Sequence, residues 1–244
     1  MKALTVFRPM LFSTPMVQAI LGDYKNQTRR TKGLEFINKN PDNWRFDGKA
    51  TAEDGFTLYW FEELKNGKPT ENYQYVEPTM NIGDIIWVRE TFQITDFLHP
   101  TDENYGYIYK ASENGKEWEN NSESWKWKPS LFMPKSACRL FLEITDIKVE
   151  RLQSISESDS LSEGVENCIA DKENFGCRVM GMRLFRDYLR KDNSLKNYPN
   201  NGYDNAKASF ETLWYSINGK DSWKENPWVW VISFKRVEKP NGFL

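Results

Sequence analysis

Residues 12–30 read FSTPMVQAILGDYKNQTRR, and this stretch predicts a short helix, a loop that contains Lys25 and then a strand. Ser13 or Thr14 can cap the helix, because a hydroxyl at this position accepts a hydrogen bond from a free backbone N–H group. Pro15 suits the first turn, since its φ angle is already helical. Gly22 can end the helix.

The segment after this helix is cationic. Residues 25–32, KNQTRRTK, hold four basic side chains and no acidic one. Such a run is either a solvated surface or an edge that contacts phosphate, and its place after a helix and a glycine favours the second. Arg29 and Arg30 are the candidate phosphate contacts. Thr28 and Arg30 are two positions apart, so on a strand they would share one face.

Apolar and aromatic runs predict the other strands. They are Leu4–Phe7, Phe56–Phe61, Ile85–Val88, Tyr105–Ala111, Cys138–Leu152 and Trp228–Phe234. The alternation in Cys138–Leu152 changes phase near Asp146, which indicates a bent strand. Asp47-Gly48 and Asn66-Gly67 are typical hairpin turns, so residues 33–80 are predicted to form a β-rich insertion.

Helices separate these strands at uneven intervals. Ser156 and Asp159 form a capping-box pattern, which predicts a short helix ending at Glu163-Gly164. Apolar positions in Asn205–Ile217 fall on one stripe and predict an amphipathic helix. Residues 180–189 could also be helical. The expected fold class is α+β, a small mixed β-barrel with flanking helices.

Composition excludes several classes of protein. The chain of 244 residues is 39% hydrophobic and 15% aromatic, which is unlike a disordered protein. No apolar run is long enough to span a membrane. The net charge of −2 means that any contact with nucleic acid must come from a local patch. Three cysteines without a CxxC pair, and no signal peptide, lead us to expect a reduced cytoplasmic protein.

The residue inventory also limits the chemistry. His99 is the single histidine and is expected in a surface loop, so a Ser-His-Asp triad would depend on that residue alone. Motifs for zinc and for nucleotide phosphates are missing from the sequence, and we expect neither a metal nor a cofactor. Acid–base groups, if the protein is an enzyme, should be Lys, Glu, Asp or Tyr.

Tryptophans in polar surroundings are candidate binding residues. Most of the ten tryptophans should lie in the core, but Trp118, Trp125 and Trp127 have polar neighbours. They could stack on a base, or they could hold a loop against the barrel. Glu90, in the segment Arg89-Glu90-Thr91 that ends the strand beginning at Ile85, completes the set of candidate substrate-binding residues with Arg29, Arg30, Trp125 and Trp127.

The segment 12–30 resembles the opening of ASCH domains, which belong to the PUA-like β-barrel superfamily. Their pattern is a helix, a glycine-containing turn and then K-T-x-T-x-R. Lys25, Thr28 and Arg30 match it, and Asn26 replaces the usual threonine. Further similar segments are Gly83–Val88, Met133–Lys135, Arg151–Gly164, Leu213–Gly219 and Asn226–Phe234. The long form is similar to ASCH proteins of bacteriophages and prophages.

The resemblance implies a possible activity. One branch of the ASCH family removes the acetyl group from N-acetylated cytidine, and its catalytic residues fall on Lys25, Thr28 and Glu163. A threonine nucleophile needs a base, which a lysine can be if burial lowers its pKa. Glu163 could orient the lysine and pass a proton to the leaving amine, so the Lys25 ammonium is expected within about 5 Å of a Glu163 oxygen or the Thr28 hydroxyl. The Glu163 charge would also raise the lysine pKa, and the sequence does not show whether burial or this charge has the larger effect.

Two functions of different class therefore remain. The first is an amidohydrolase acting on an acylated base or nucleoside. The second is a non-catalytic module of phage origin that binds RNA or DNA, with recognition of modified bases as one form of it. The resemblance implies one domain over residues 1–244, with insertions at about 33–80 and 165–205. The sequence does not predict the oligomeric state.

Overall fold

The computed structural model describes residues 6–53, 55–94, 106–112, 126–169, 183–189 and 203–243. The fold is mixed α+β, with strands in several sheets and few helices. The helices of more than one turn are α1 (Thr14–Leu21), α2 (Glu157–Ser162) and α3 (Ala206–Asn218). None of the described helices is both long and apolar enough to cross a membrane.

Twelve strands are present in the described residues. They are β1 (Phe7–Leu11), β2 (Gln27–Arg30), β3 (Trp44–Thr51), β4 (Thr57–Lys65), β5 (Lys68–Val76), β6 (Ile85–Arg89), β7 (Phe92–Ile94), β8 (Tyr107–Tyr109), β9 (Phe141–Arg151), β10 (Asn167–Ile169), β11 (Arg183–Phe185) and β12 (Trp228–Val237). Short 3-10 turns occupy Ile37–Lys39, Pro41–Asn43, Ser130–Phe132, Lys135–Ala137 and Leu152–Ser154.

The largest sheet has five strands in the order β1-β6-β9-β12-β2. β1 runs parallel to β6, β6 is antiparallel to β9, and β12 is antiparallel to β2. The sheet has two edge strands, β1 and β2, so within the described residues it is open and does not close into the expected barrel. Three small sheets accompany it: β3-β4-β5, β7-β8 and β10-β11.

The chain divides into two compact units, each built from separate segments. One comprises residues 1–23, 82–145 and 234–244, and the other comprises residues 24–81 and 146–233. The first unit has a core around Phe141 and Phe243, whose rings lie 4.7 Å apart. The second has a core in which α3 contributes Phe210 and Trp214. The chain passes between the units inside β9 and β12.

The first strand is displaced from its predicted position. We expected Leu4–Phe7, but β1 covers Phe7–Leu11 and includes Pro9. A proline cannot donate a hydrogen bond to a neighbouring strand, and it is tolerated because β1 is at the edge of the sheet. The helix that follows has Ser13 as its N-cap residue and ends at Gly22, as predicted, although the Ser13 side chain makes no capping hydrogen bond.

The long strand β9 confirms the predicted change of phase. Leu142 and Ile144 are buried, then Thr145 and Asp146 are both exposed, and burial resumes at Ile147. Two consecutive exposed residues shift the alternation by one position, so the buried face changes there. The change coincides with the boundary between the two units at residues 145 and 146.

The three-stranded sheet contains one predicted turn and lacks the other. Asn66 and Gly67 join β4 to β5 with φ angles of 53° and 71°, as a two-residue hairpin requires. The predicted turn at Asp47-Gly48 is wrong, because both residues lie inside β3. Gly48 lies opposite Trp60 on β4, next to a register shift. A Cβ atom on Gly48 would lie 2.5 Å from the Trp60 ring, so this glycine is needed for space.

Two helix predictions near the C-terminal half need correction. Residues 183–185, part of the possible helix at 180–189, form strand β11, which pairs with β10. The predicted amphipathic helix is present as α3 and buries Phe210, Leu213 and Trp214, but Ile217 is 51% exposed and does not join the buried stripe. Residues 95–105, 113–125, 170–182 and 190–202, with His99, Trp118, Trp125 and much of the proposed insertion 165–205, lie outside the described residues.

Replacing Gly48 with alanine should destabilise the protein by about 1–3 kcal/mol, because the new methyl group overlaps the Trp60 ring. Urea unfolding of the variant measures this change. In a Trp60→Leu background the same substitution should cost clearly less. Equal costs in the two backgrounds would show that contact with the Trp60 ring is not the cause.

Candidate functional site

Lys25 and Glu163 form a buried ion pair. The Lys25 Nζ atom lies 2.9 Å from Glu163 Oε2, although the residues are 138 positions apart. The side chains are 0% and 3% exposed, respectively. The expected proximity, within about 5 Å, is therefore confirmed. Backbone pairing between the two residues holds the chain segments together at this point.

The lysine ammonium has three hydrogen-bond acceptors. Besides Glu163 Oε2, Nζ donates to the backbone oxygen atoms of Gln27 at 2.8 Å and Glu163 at 2.7 Å. An ammonium has three N–H groups, so all of them are used in this arrangement. A charged lysine can thus be buried without an unsatisfied donor.

Helix α2 places Glu163. Ser156 Oγ accepts a hydrogen bond from the Asp159 backbone N–H at 3.0 Å, which confirms the predicted cap. Glu163 directly follows the last turn, where a carboxylate is unfavourable for the helix dipole. The charge of Glu163 is stabilised instead by the cations beside it, which explains why an acid is tolerated at this end.

Arg29 is the second cation of the cluster. Its Nη1 atom donates to Glu163 Oε1 at 3.0 Å and to Gln27 Oε1 at 2.8 Å, and Nη2 donates to Glu150 Oε1 at 2.7 Å. Asp159 Oδ2 lies 3.7 Å away. The side chain is 1% exposed, so the residue predicted to contact phosphate lies inside the protein and is engaged by carboxylates.

Thr28 and Arg30 lie on β2 with Arg29 between them. The predicted strand is present, and Thr28 is buried while Arg30 is partly exposed. Because side chains alternate along a strand, Thr28 and Arg30 point to the face opposite Arg29. The structure thus brings Lys25, Glu163 and Arg29 into direct contact, and Arg30 lies within electrostatic range of Lys25 and Glu163. Thr28 is on the face of β2 opposite Arg29.

Burial decides the direction of the Lys25 pKa. It lowers the pKa below its usual value, and it outweighs the opposing effects of the Glu163 charge and hydrogen bond. The charges of Arg30 and Arg29 lower the pKa further. The sequence could not decide between burial and the Glu163 charge, because it does not show how completely Lys25 is removed from water.

Glu90 and Trp127 belong to the other compact unit. Glu90 is buried and accepts two hydrogen bonds from Arg139, at 2.8 and 2.9 Å. The Arg139 guanidinium lies 4.0 Å from the centre of the Tyr109 ring. Trp127 is half-buried, with Lys110 Nζ 5.9 Å from its ring. Trp125 lies outside the part of the chain that the structure describes.

Sequence reasoning missed three members of the cluster: Gln27, Glu150 and Asp159. Gln27 and Arg29 are both buried and two positions apart on a strand, a spacing that could have indicated a shared polar face. Glu150 had no such signal, because it ends a long strand where acids are usually solvated. Asp159 was attributed to the capping box, and its proximity to Arg29 depends on tertiary structure.

Comparisons with known proteins give no relative. No family model matches the chain, and no curated protein and no solved structure is significantly similar to it. Within the described residues, no group of three or more His, Cys, Asp or Glu side chains is arranged to hold a metal ion. The support for the candidate site around Lys25 and Glu163 therefore comes from its geometry and not from a relative.

Substitution of Lys25 by methionine should destabilise the protein by up to about 3–5 kcal/mol, because the buried Glu163 carboxylate loses the cation on Oε2 and keeps only Arg29 on Oε1. The double variant Lys25→Met, Glu163→Leu should lose less than the sum of the single losses. Thermal and urea unfolding measure both. Lys224→Met, which breaks an exposed pair with Asp221, is the control and should leave the midpoint unchanged. Additive losses would contradict direct coupling of Lys25 and Glu163.

Proposed function

We propose that the chain is an ASCH-type protein of the PUA-like superfamily that binds a nucleoside or base and hydrolyses an acyl amide on it. The main support is the buried contact between Lys25 and Glu163, two residues of the three that the resemblance implies for catalysis. The lowered Lys25 pKa is the property that a lysine needs to act as a base.

The reaction would follow the chemistry of a threonine nucleophile. Neutral Lys25 accepts the hydroxyl proton of Thr28 while Thr28 Oγ bonds to the acyl carbon. The C–N bond then breaks, and the leaving amine takes the proton that Lys25 accepted, either from Lys25 itself or relayed through Glu163. Water hydrolyses the threonyl ester, which releases the carboxylic acid and restores the hydroxyl. To reach Thr28, Lys25 must first give up one of its three hydrogen bonds.

Hydrolysis of N-acetylcytidine, followed by ultraviolet absorbance, tests this function. The wild-type protein should release cytidine and acetate. Thr28→Val removes the hydroxyl at nearly constant volume, and Glu163→Gln removes the charge, so each should lower kcat roughly a hundredfold or more. Arg45→Gln is the matched control, because Arg45 pairs with Glu62 in the same unit and outside this cluster.

The outcomes separate enzyme from binding protein. Full activity in Thr28→Val would exclude the threonine mechanism. If the wild-type protein binds the nucleoside without hydrolysing it, catalysis is excluded and recognition remains. Circular dichroism of each variant shows whether a loss of activity comes from unfolding.

A non-catalytic nucleic-acid-binding module is the second candidate, and the hydrogen bonding of Lys25 favours it. With all three N–H groups bound to oxygen atoms, Lys25 has no free lone pair to serve as a base. The cluster would then be a structural element beneath a binding surface. Arg30 is the candidate phosphate contact, because the residue is partly exposed, although burial lowers the pKa of its guanidinium.

If the protein binds RNA or DNA, Arg30→Gln should weaken binding and reduce the slope of log K against log salt by about one, because fewer counterions are released. Fluorescence anisotropy with a labelled oligonucleotide at several salt concentrations measures this. Lys68→Gln, an exposed lysine at the β4–β5 turn, is the control. An unaltered slope for Arg30→Gln would assign this arginine to the fold or to small-molecule recognition.

A further inference from the structure

We infer that Arg29 is a positioning residue: it holds the Glu163 carboxylate against Lys25, and its own positive charge opposes protonation of the lysine. Its importance for catalysis rests on the proposed function, whereas its effect on Lys25 does not. The inference replaces the expectation that Arg29 contacts phosphate, because its guanidinium lies inside the protein.

The geometry of Glu163 is the first argument. Its two oxygen atoms are held separately, Oε2 by Lys25 at 2.9 Å and Oε1 by Arg29 at 3.0 Å. A carboxylate with a cation on each oxygen has little freedom to rotate. Without Arg29, Oε1 would lose its charged partner, and the orientation of Oε2 toward Lys25 would depend on Lys25 alone.

The anchoring of Arg29 is the second argument. Its guanidinium is fixed by Glu150 on β9 at 2.7 Å and by Gln27 on its own strand at 2.8 Å. The Arg29 Cζ atom also lies 5.8 Å from the centre of the Phe210 ring on α3. Strands β9 and β2 and helix α3 therefore determine where the Arg29 guanidinium lies. The carboxylate that Arg29 positions is Glu163, directly after α2.

The charges around Lys25 are the third argument. Glu163, which follows α2, and Arg29 and Arg30 on β2 act on Lys25 directly. Glu150 on β9 and Asp159 on α2 act through Arg29, and Lys148 on β9 acts on Asp159. In such a buried set, removing a single charge changes the electrostatic potential at Lys25 in a direction given by its sign.

Opposite shifts in the titration of Lys25 test the inference. The full-length protein, labelled with 13C at the lysine ε carbon, is titrated by NMR, and the Lys25 signal is assigned by its loss in Lys25→Met. Arg29→Met removes a positive charge, so the Lys25 midpoint should rise by on the order of one pH unit. Glu150→Gln removes a negative charge while Arg29 still binds Glu163, so the midpoint should fall.

Two further variants distinguish position from general stability. Arg29→Lys keeps the charge and should restore most of the wild-type midpoint. Arg45→Gln breaks an ion pair in the same unit and should leave the midpoint unchanged. If Arg29→Met does not fold, Glu150→Gln still decides, because Glu150 is 20% exposed and its neutral amide keeps the shape of the carboxylate.

The results separate this inference from the proposed function. Unchanged midpoints in Arg29→Met and Glu150→Gln, or shifts in the same direction, would overturn the role of Arg29. If the midpoints shift in opposite directions but neither the wild type nor any variant hydrolyses N-acetylcytidine, the role of Arg29 is supported and the proposed amidohydrolase activity is refuted. If hydrolysis occurs, the pH at which kcat reaches half its maximum should move with the NMR midpoint in each variant.

Discussion

A lysine ammonium that is removed from water must be surrounded by oxygen atoms, and this requirement organises the unit that contains Lys25. Two of the oxygen atoms come from Glu163, so helix α2 has to end beside β2. The second oxygen of Glu163 then needs its own cation, which is Arg29. Arg29 in turn requires Glu150 on β9. Each buried charge thus determines the position of the next one.

The other compact unit also buries a charged side chain, and there a single ion pair stabilises it. Glu90 is buried, and the Arg139 guanidinium binds both of its oxygen atoms. The Tyr109 ring covers that guanidinium, and the Tyr109 hydroxyl donates to the Ala137 backbone oxygen at 2.7 Å. The Arg139 side chain is 21% exposed, compared with 1% for Arg29. Water can therefore stabilise part of the Arg139 charge, and no chain of further carboxylates is needed.

Local patterns predicted most of the elements, whereas the family resemblance selected both members of the central pair, Lys25 and Glu163. The cap at Ser156, the turn at Asn66-Gly67 and the change of phase near Asp146 depend on neighbouring residues, and all three are present. Glu163 was selected through a family resemblance, which no comparison supports. The proximity of Lys25 to Glu163 was an expectation from that resemblance, and the structure confirms it.

Features that depend on distant residues were not accessible from the sequence. Gly48 looked like part of a turn, because the sequence does not show that Trp60 on the next strand needs its space. Arg29 looked like a surface cation, because Glu150 is 121 positions away. A barrel was expected, whereas the largest sheet is open within the described residues. Local patterns predict individual strands, but the order of the strands and the edges of the sheet depend on pairing between distant segments.

The place of β12 in the largest sheet has a consequence for the order of folding. This strand is the last in the sequence, yet it lies between β9 and β2. During synthesis, β2 leaves the ribosome early and has to wait for about two hundred residues before its partner exists. Until then the edge of β9 that will receive β12 is exposed to other chains. Such late, long-range pairing slows folding, and it leaves a strand edge open to aggregation until β12 has been made.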